Sequence, residues 1–157
     1  MPAEAGLNRD FRDLLDCLLA SDVRFLVVGA HALAALGVPR ATGDLDVWVE
    51  PTAANADRVW AALTRFGAPV AELGVTRSDF ASAGVVVQLG LPPRRIDLLT
   101  ELTGIAFDEA WLGRAVQNVD GLLVPFLGRR DFVRNKRATG RTRDLADLEA
   151  LGEIPER

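Results

Sequence analysis

The chain switches repeatedly between two apolar periodicities. Phe11, Leu14, Leu15, Leu18 and Leu19 recur at helical spacing, which predicts an amphipathic helix over residues 8–20 with Asn8 as its N-cap. "RFLVVGA" (24–30) is an unbroken apolar run ending at a glycine, as a buried strand would. "AHALAALG" then reads as a short helix stopped by Gly37, with Pro39 just beyond. "DLDVWVE" alternates until Pro51 halts it, and residues 54–67 place Val59, Trp60, Leu63 and Phe66 on one helical face that closes at Gly67.

Two further runs, "GVVVQLG" (84–90) and "RIDLLT" (95–100), fit neighbouring antiparallel strands. In "AWLGRAVQNVDGLLVPFL" the Asp120-Gly121 pair between apolar flanks predicts a hairpin turn. Two helical pieces, 129–138 and 143–151, are split by Gly140, the second carrying Leu145, Leu148 and Leu151 on an expected apolar stripe. No internal repeat or long linker interrupts the pattern. The expectation is therefore one α/β (α+β) domain over 1–157, a mixed sheet flanked by helices, with its core at about 24–100 and a basic helical part at about 127–151.

Composition changes that picture little. Hydrophobic residues at 49% and charged residues at 25% exclude disordered, collagen-like and membrane classes. No apolar window approaches the length of a membrane span, and "MPAEAGLNRDFRD" carries acids where a signal peptide needs a basic and then an apolar run, so a cytoplasmic location without membrane partners is expected. The single Cys17 sits among leucines, where a free thiol behaves as a small hydrophobe. Trp48, Trp60 and Trp111 each lie in apolar surroundings and read as core.

Charge is more informative in its distribution than in its sum. The net charge of −4 argues against a broad nucleic-acid surface, yet seven basic residues between Arg129 and Arg143 face one acid, Asp131, so this segment alone is +6. The rest of the chain is strongly acidic.

Candidate chemistry centres on "GDLDVWV". Asp44 and Asp46 are one residue apart in a strand, so they share a face with Cα atoms about 7 Å apart. Like charges this close repel and raise each other's pKa unless a cation lies between them. Mg²⁺, which takes carboxylate and phosphate oxygens, meets that need. Asp97 is a third acid inside an apolar run and a candidate third ligand. The plainer alternatives are that Asp44 caps a turn while Asp46 faces solvent, and that Asp97 pairs with Arg94 or Arg95. Gly29 and Ala30 begin a helix after a strand, where free N–H groups favour a phosphate. Arg40 and Thr42 could add a charge and a hydroxyl to the same phosphates. His31 suits a packed or capping position, with a substrate contact as the alternative.

The order strand, small-residue turn, helix, Asp-x-Asp strand and later Asp strand resembles the DNA polymerase β type nucleotidyltransferase superfamily. Arg40-Ala41-Thr42-Gly43-Asp44-Leu45-Asp46 is similar to the R-x-T/S-x-D-h-D run of the minimal nucleotidyltransferases of toxin–antitoxin and abortive-infection systems. "KRATGRTRDLADLEAL", with Lys136, Arg141, Arg143, Asp144 and Asp147, resembles the C-terminal part of the same group. Two positions depart from it: Ala30 stands where a second glycine or a serine is usual, and Arg143 where a lysine is common.

The resemblance implies a polymerase β-like fold and transfer of a nucleoside monophosphate from an NTP to a hydroxyl of a protein or tRNA acceptor. Asp44, Asp46 and Asp97 would hold two Mg²⁺ ions, or Mn²⁺ in their place, with Asp97 taking the acceptor proton. Lys136 would contact the triphosphate, with His31, Arg143 and Asp144 as additional site residues and Asp144 alternatively the N-cap of the last helix. A cognate toxin or antitoxin and a second copy of the chain are the expected protein partners. The competing reading keeps the fold but drops the chemistry, leaving a non-catalytic antitoxin or binding scaffold.

Overall fold

A computed structural model describes residues 7–38 and 43–153. Its elements run α1 (Arg9–Ala20), β1 (Phe25–Val28), α2 (Gly29–Ala35), β2 (Leu45–Val49), α3 (Ala53–Phe66), a 3₁₀ turn (Arg77–Ala81), β3 (Val86–Leu89), β4 (Ile96–Leu99), α4 (Phe107–Leu112), β5 (Ala115–Val119), β6 (Leu122–Phe126), α5 (Arg129–Thr139) and α6 (Thr142–Ala150). The strands form one mixed sheet in the order β3-β4-β2-β1-β6-β5. β1 pairs antiparallel with β2 and parallel with β6, while β2 and β4 run parallel. All four residues of β1 are buried, which explains why it reads as an unbroken apolar run rather than an alternating one.

Local chemistry sets the boundaries. Asn8 caps α1 by accepting the Asp10 N–H at 2.8 Å, and Thr52 caps α3 through the Asn55 N–H at 3.2 Å. α3 ends at Gly67 and α5 at Gly140, both in the left-handed conformation. The β5–β6 connection is a two-residue turn with Asp120 at φ 50° and Gly121 at φ 88°, the signature expected of an Asp-Gly hairpin. Asn55, fully buried, accepts from the Arg24 N–H and donates to the carbonyls of Arg24 and Glu50, tying α3 to the ends of β1 and β2.

Three local expectations need correction. Leu145 is 43% exposed, because the buried face of α6 is Asp144, Asp147, Leu148 and Leu151, a spacing of three and four rather than repeated threes. Of the tryptophans only Trp48 is fully buried; Trp60 and Trp111 are half-buried and lie under the guanidiniums of Arg77 and Arg114. Cys17 is likewise half-buried, and burial with the neighbouring Asp16 charge pushes its thiol pKa up. The helix α4 gave no periodic signal, since six residues hold fewer than two turns. It is anchored by buried Phe107, which meets Trp48 edge to face at 5.0 Å.

Candidate active site

Strand register assembles the acids. Asp46 lies opposite Val28 of β1 on one side and opposite Asp97 of β4 on the other. Neighbouring strands are about 4.8 Å apart, and residues in one cross-strand row share a face, so the two carboxylates meet directly. Asp44 sits in the bend just before β2, close enough for its charge to act on Asp46. β1 ends at Val28 beside Asp46, and the next residue, Gly29, turns the chain into α2 with φ 68°. A Cβ at Gly29 would fall on Asp46 Oδ2, so only glycine fits against this carboxylate.

Among the described residues, no group of three or more His, Cys, Asp or Glu side chains is arranged to hold a metal ion as it stands. Arg95 supplies the counter-charge instead. Its Nε donates to Asp97 Oδ1 at 2.7 Å and a terminal nitrogen donates to Oδ2 at 3.1 Å, a bidentate pair. The same terminal nitrogen lies 3.4 Å from Asp44 Oδ2, and the Arg95 backbone N–H donates to Asp44 Oδ1 at 2.9 Å. The plainer pairing of Asp97 is thus present, with Arg95 rather than Arg94 as partner. Asp46 receives least of this relief. Burial, the charge of Asp97 and a hydrogen bond with it push the Asp46 carboxyl up to about 6, so near neutrality it sits poised between holding a proton and releasing it.

Across from Asp46 a cleft of about 880 Å³ opens between the strand ends and the α5–α6 wall. Gly29, Ala30 and Asp46 line one side, and Lys136, Arg141, Arg143 and Asp147 the other. Lys136 is held rather than loose, its Nζ 3.3 Å from both Asp144 Oδ1 and Asp147 Oδ2. Asp144 is wholly buried, and its carboxylate accepts from Arg141 N at 3.1 Å and Arg141 Nε at 2.7 Å. Burial works to raise its pKa, but hydrogen bonds from Arg141, Thr139 and Lys136 prevail and hold the carboxyl well below the usual range. Asp144 is the third residue of α6, and its carboxylate reaches back to the backbone N–H of the residue at the N-cap, Arg141.

The sequence-predicted residues divide as follows. Asp44, Asp46 and Asp97 come together, Gly29 and Ala30 line the cleft beside Asp46, and Lys136 and Arg143 line its other side, with buried Asp144 behind Lys136. Arg40 and Thr42 lie outside the described residues. His31 packs edge to face on Phe11 at 5.7 Å, and burial lowers its pKa against a hydrogen bond with the Gly43 backbone. Its Nε2 is buried without a hydrogen-bond partner among the described residues. Two residues escape the sequence pattern: Arg95, which reads there only as a charge partner of Asp97, and Glu101, which lines the cleft. Arg95 was findable: at i, i+2 in a strand it must share the face of Asp97, whereas Arg94 points away.

The six-stranded mixed sheet with flanking helices defines the fold class. The chain superposes on a crystal structure of a "putative nucleotidyltransferase" from Thermotoga maritima with a TM-score of 0.58 at 14% identity, over 96% of this chain and 96% of that one. The protein thus has a nucleotidyltransferase fold. No protein-family model matches the sequence, and no curated protein sequence matches it.

Proposed function

We propose that this chain is a nucleotidyltransferase that moves a nucleoside monophosphate from an NTP to a hydroxyl acceptor with Mg²⁺ as cofactor. The observation that carries the reading is the register pairing of Asp46 with Asp97, at a cleft whose far wall is Lys136, Arg141 and Arg143. The donor set fits the ion: Asp44, Asp46 and Asp97 offer hard oxygens on one face, and Asp46 is short of counter-charge. Bound there, Mg²⁺ would supply Lewis-acid charge at the phosphates and a lowered pKa at the acceptor hydroxyl.

The chain's own groups do the rest. Gly29 and Ala30 open the first turn of α2, where N–H groups lack helical partners and can meet a phosphate. Lys136, oriented by Asp144 and Asp147, and the arginines beside it would neutralise charge building on the leaving pyrophosphate. The acceptor oxygen forms its bond to the α-phosphorus as the bond to pyrophosphate breaks, and the hydroxyl proton passes to the Asp97 carboxylate. A toxin–antitoxin setting belongs to this proposal through the likeness of the 40–46 run.

One observation favours the non-catalytic scaffold: Arg95 already satisfies Asp97 and Asp44 without any metal. Labelled NTP, Mg²⁺ and cell lysate separate the two readings. Transfer of label to an acceptor that disappears in Asp44→Ala and Asp46→Ala supports catalysis; no transfer by the wild type, or equal transfer by Asp46→Ala, overturns it.

A further inference from the structure

We infer that Arg95 closes the acid cluster to a free divalent cation and opens it to one that arrives with a nucleotide, the guanidinium passing from the carboxylates to the triphosphate. This rests on the proposed function in taking Asp44, Asp46 and Asp97 as the ligands of the cation, and it adds the order in which the site is filled.

The guanidinium occupies the ground that a cation needs. It forks both oxygens of Asp97, at 2.7 and 3.1 Å, and lies 3.4 Å from Asp44 Oδ2. The other Asp44 oxygen accepts the Arg95 backbone N–H at 2.9 Å. One residue thus engages every carboxylate oxygen of Asp44 and Asp97, while Asp46 receives no donor from it. A divalent ion entering alone would have to win its oxygens from two charge-assisted hydrogen bonds, and it would strand a positive charge beside its own. Its apparent affinity therefore falls in proportion to the fraction of molecules in which Arg95 has let go.

Permanent stapling accounts poorly for this arrangement. Arg95 directly precedes β4 and Asp97 lies on it, so their pair joins no two elements. The Asp44 contacts do reach the segment before β2, but β2 and β4 are already joined over four register pairs and by the Leu45 N–H to the Arg95 carbonyl at 2.9 Å. The Arg95 side chain is 27% exposed and so has a path outward. A triphosphate supplies what a free cation lacks. It brings negative charge that offsets the second cation, and oxygens that a guanidinium forks as it does a carboxylate. Val28, Asp46 and Asp97 fall in one cross-strand row about 10 Å wide, so a triphosphate running from the α2 turn across that row comes within reach of the Arg95 arm.

Mn²⁺ binding, read from the EPR signal of the unbound ion, tests this without any transfer of label. Nucleotide-free wild type should bind Mn²⁺ about ten- to a hundredfold more weakly than Arg95→Gln, the range expected where two charge-assisted hydrogen bonds hold the closed form. Arg95→Lys keeps the charge but cannot fork both Asp97 oxygens, so it should fall between them. It also guards against a folding defect in the glutamine variant, as does circular dichroism of both. With α,β-methylene nucleoside triphosphates, added each in turn, the order should reverse: wild type should hold the Mn²⁺–nucleotide complex at least about threefold more tightly than Arg95→Gln. A merely structural arginine would weaken both kinds of binding together when replaced. Nucleotide-free Mn²⁺ binding by wild type equal to or tighter than that of Arg95→Gln, or a Mn²⁺–nucleotide complex held more tightly by Arg95→Gln, overturns the inference and leaves the proposed metal site standing. No Mn²⁺ binding by any of these proteins with or without nucleotide, or binding undiminished by Asp46→Asn, overturns the metal site and the inference with it.

Discussion

Replacing Gly29 by alanine adds one methyl group where the structure has no space for it. The new Cβ would fall on Asp46 Oδ2, with Asp46 Cγ at 3.1 Å and Cβ at 3.3 Å, so rotating the carboxylate does not clear the overlap. Two costs follow, and they separate. Holding alanine at the observed φ of 68° costs about 1–2 kcal/mol whatever its neighbours are. Forcing Asp46 and β2 aside adds about 1–3 kcal/mol, the usual range for overpacking a filled site. The total, about 2–5 kcal/mol, is a large share of the stability of an ordinary domain. In an Asp46→Ala background the second cost disappears while the first remains. Urea unfolding of the four proteins in this cycle, read as midpoint and slope, should give a coupling of about 1–3 kcal/mol between positions 29 and 46. If Gly29→Ala costs the same with and without the Asp46 side chain, the close approach of the β1–α2 turn to the carboxylate is wrong.

Two predictions use the titrations. The folded pKa of Asp46, about 6 against an ordinary 3.8, lies above its unfolded value, so without divalent metal the folded state loses stability as pH rises from about 4 to 6. Two units convert to about 3 kcal/mol, reduced to about 1–2 by solvent at this partly exposed group, so Asp46→Asn should exceed wild type by that amount at pH 7 in EDTA and match it at pH 4 by urea denaturation. Asp144 has the opposite sign: its carboxyl is depressed, so it contributes stability above the unfolded carboxylate value and loses it as pH falls. Asp144→Asn strips the buried partner from Lys136 and Arg141 and should cost about 2–4 kcal/mol at pH 7, a deficit that shrinks in thermal melts below about pH 4.

Much of the fold was legible because its signals are local. An Asp-Gly pair between apolar runs leaves little choice but the β5–β6 turn, and glycine stops at Gly67 and Gly140 are decided within one helical turn. The acid pair was only half legible. Period two puts Asp44 and Asp46 on one face, but that Asp46 opposes Asp97 depends on β4 docking parallel to β2 in one register, and a slip of one residue would turn Asp97 to the other face. Asp144 shows the same limit. Its spacing fits a helix start, but its direction is set by Lys136, eight residues earlier on α5 and brought back by the turn at Gly140.

The whole-chain charge conceals the site for a related reason. The net charge of −4 averages over a separation: Asp46, backed by Asp97, lines one side of the cleft, and Lys136, Arg141 and Arg143 of the basic segment line the other. Each half would be costly alone: burial first and then the charge of Asp97 raise the Asp46 carboxyl, and Lys136, largely buried, needs Asp144 and Asp147 beside it. A triphosphate with its divalent counter-ion has the charge pattern that satisfies both halves at once, cation toward the acids and oxygens toward the basic wall. α5 then divides its cations by helical phase. Lys136 and Thr139 line the cleft, while Arg130, Arg134 and Arg137 line a separate groove, so Lys136 is the one cation of this helix that the cleft draws on.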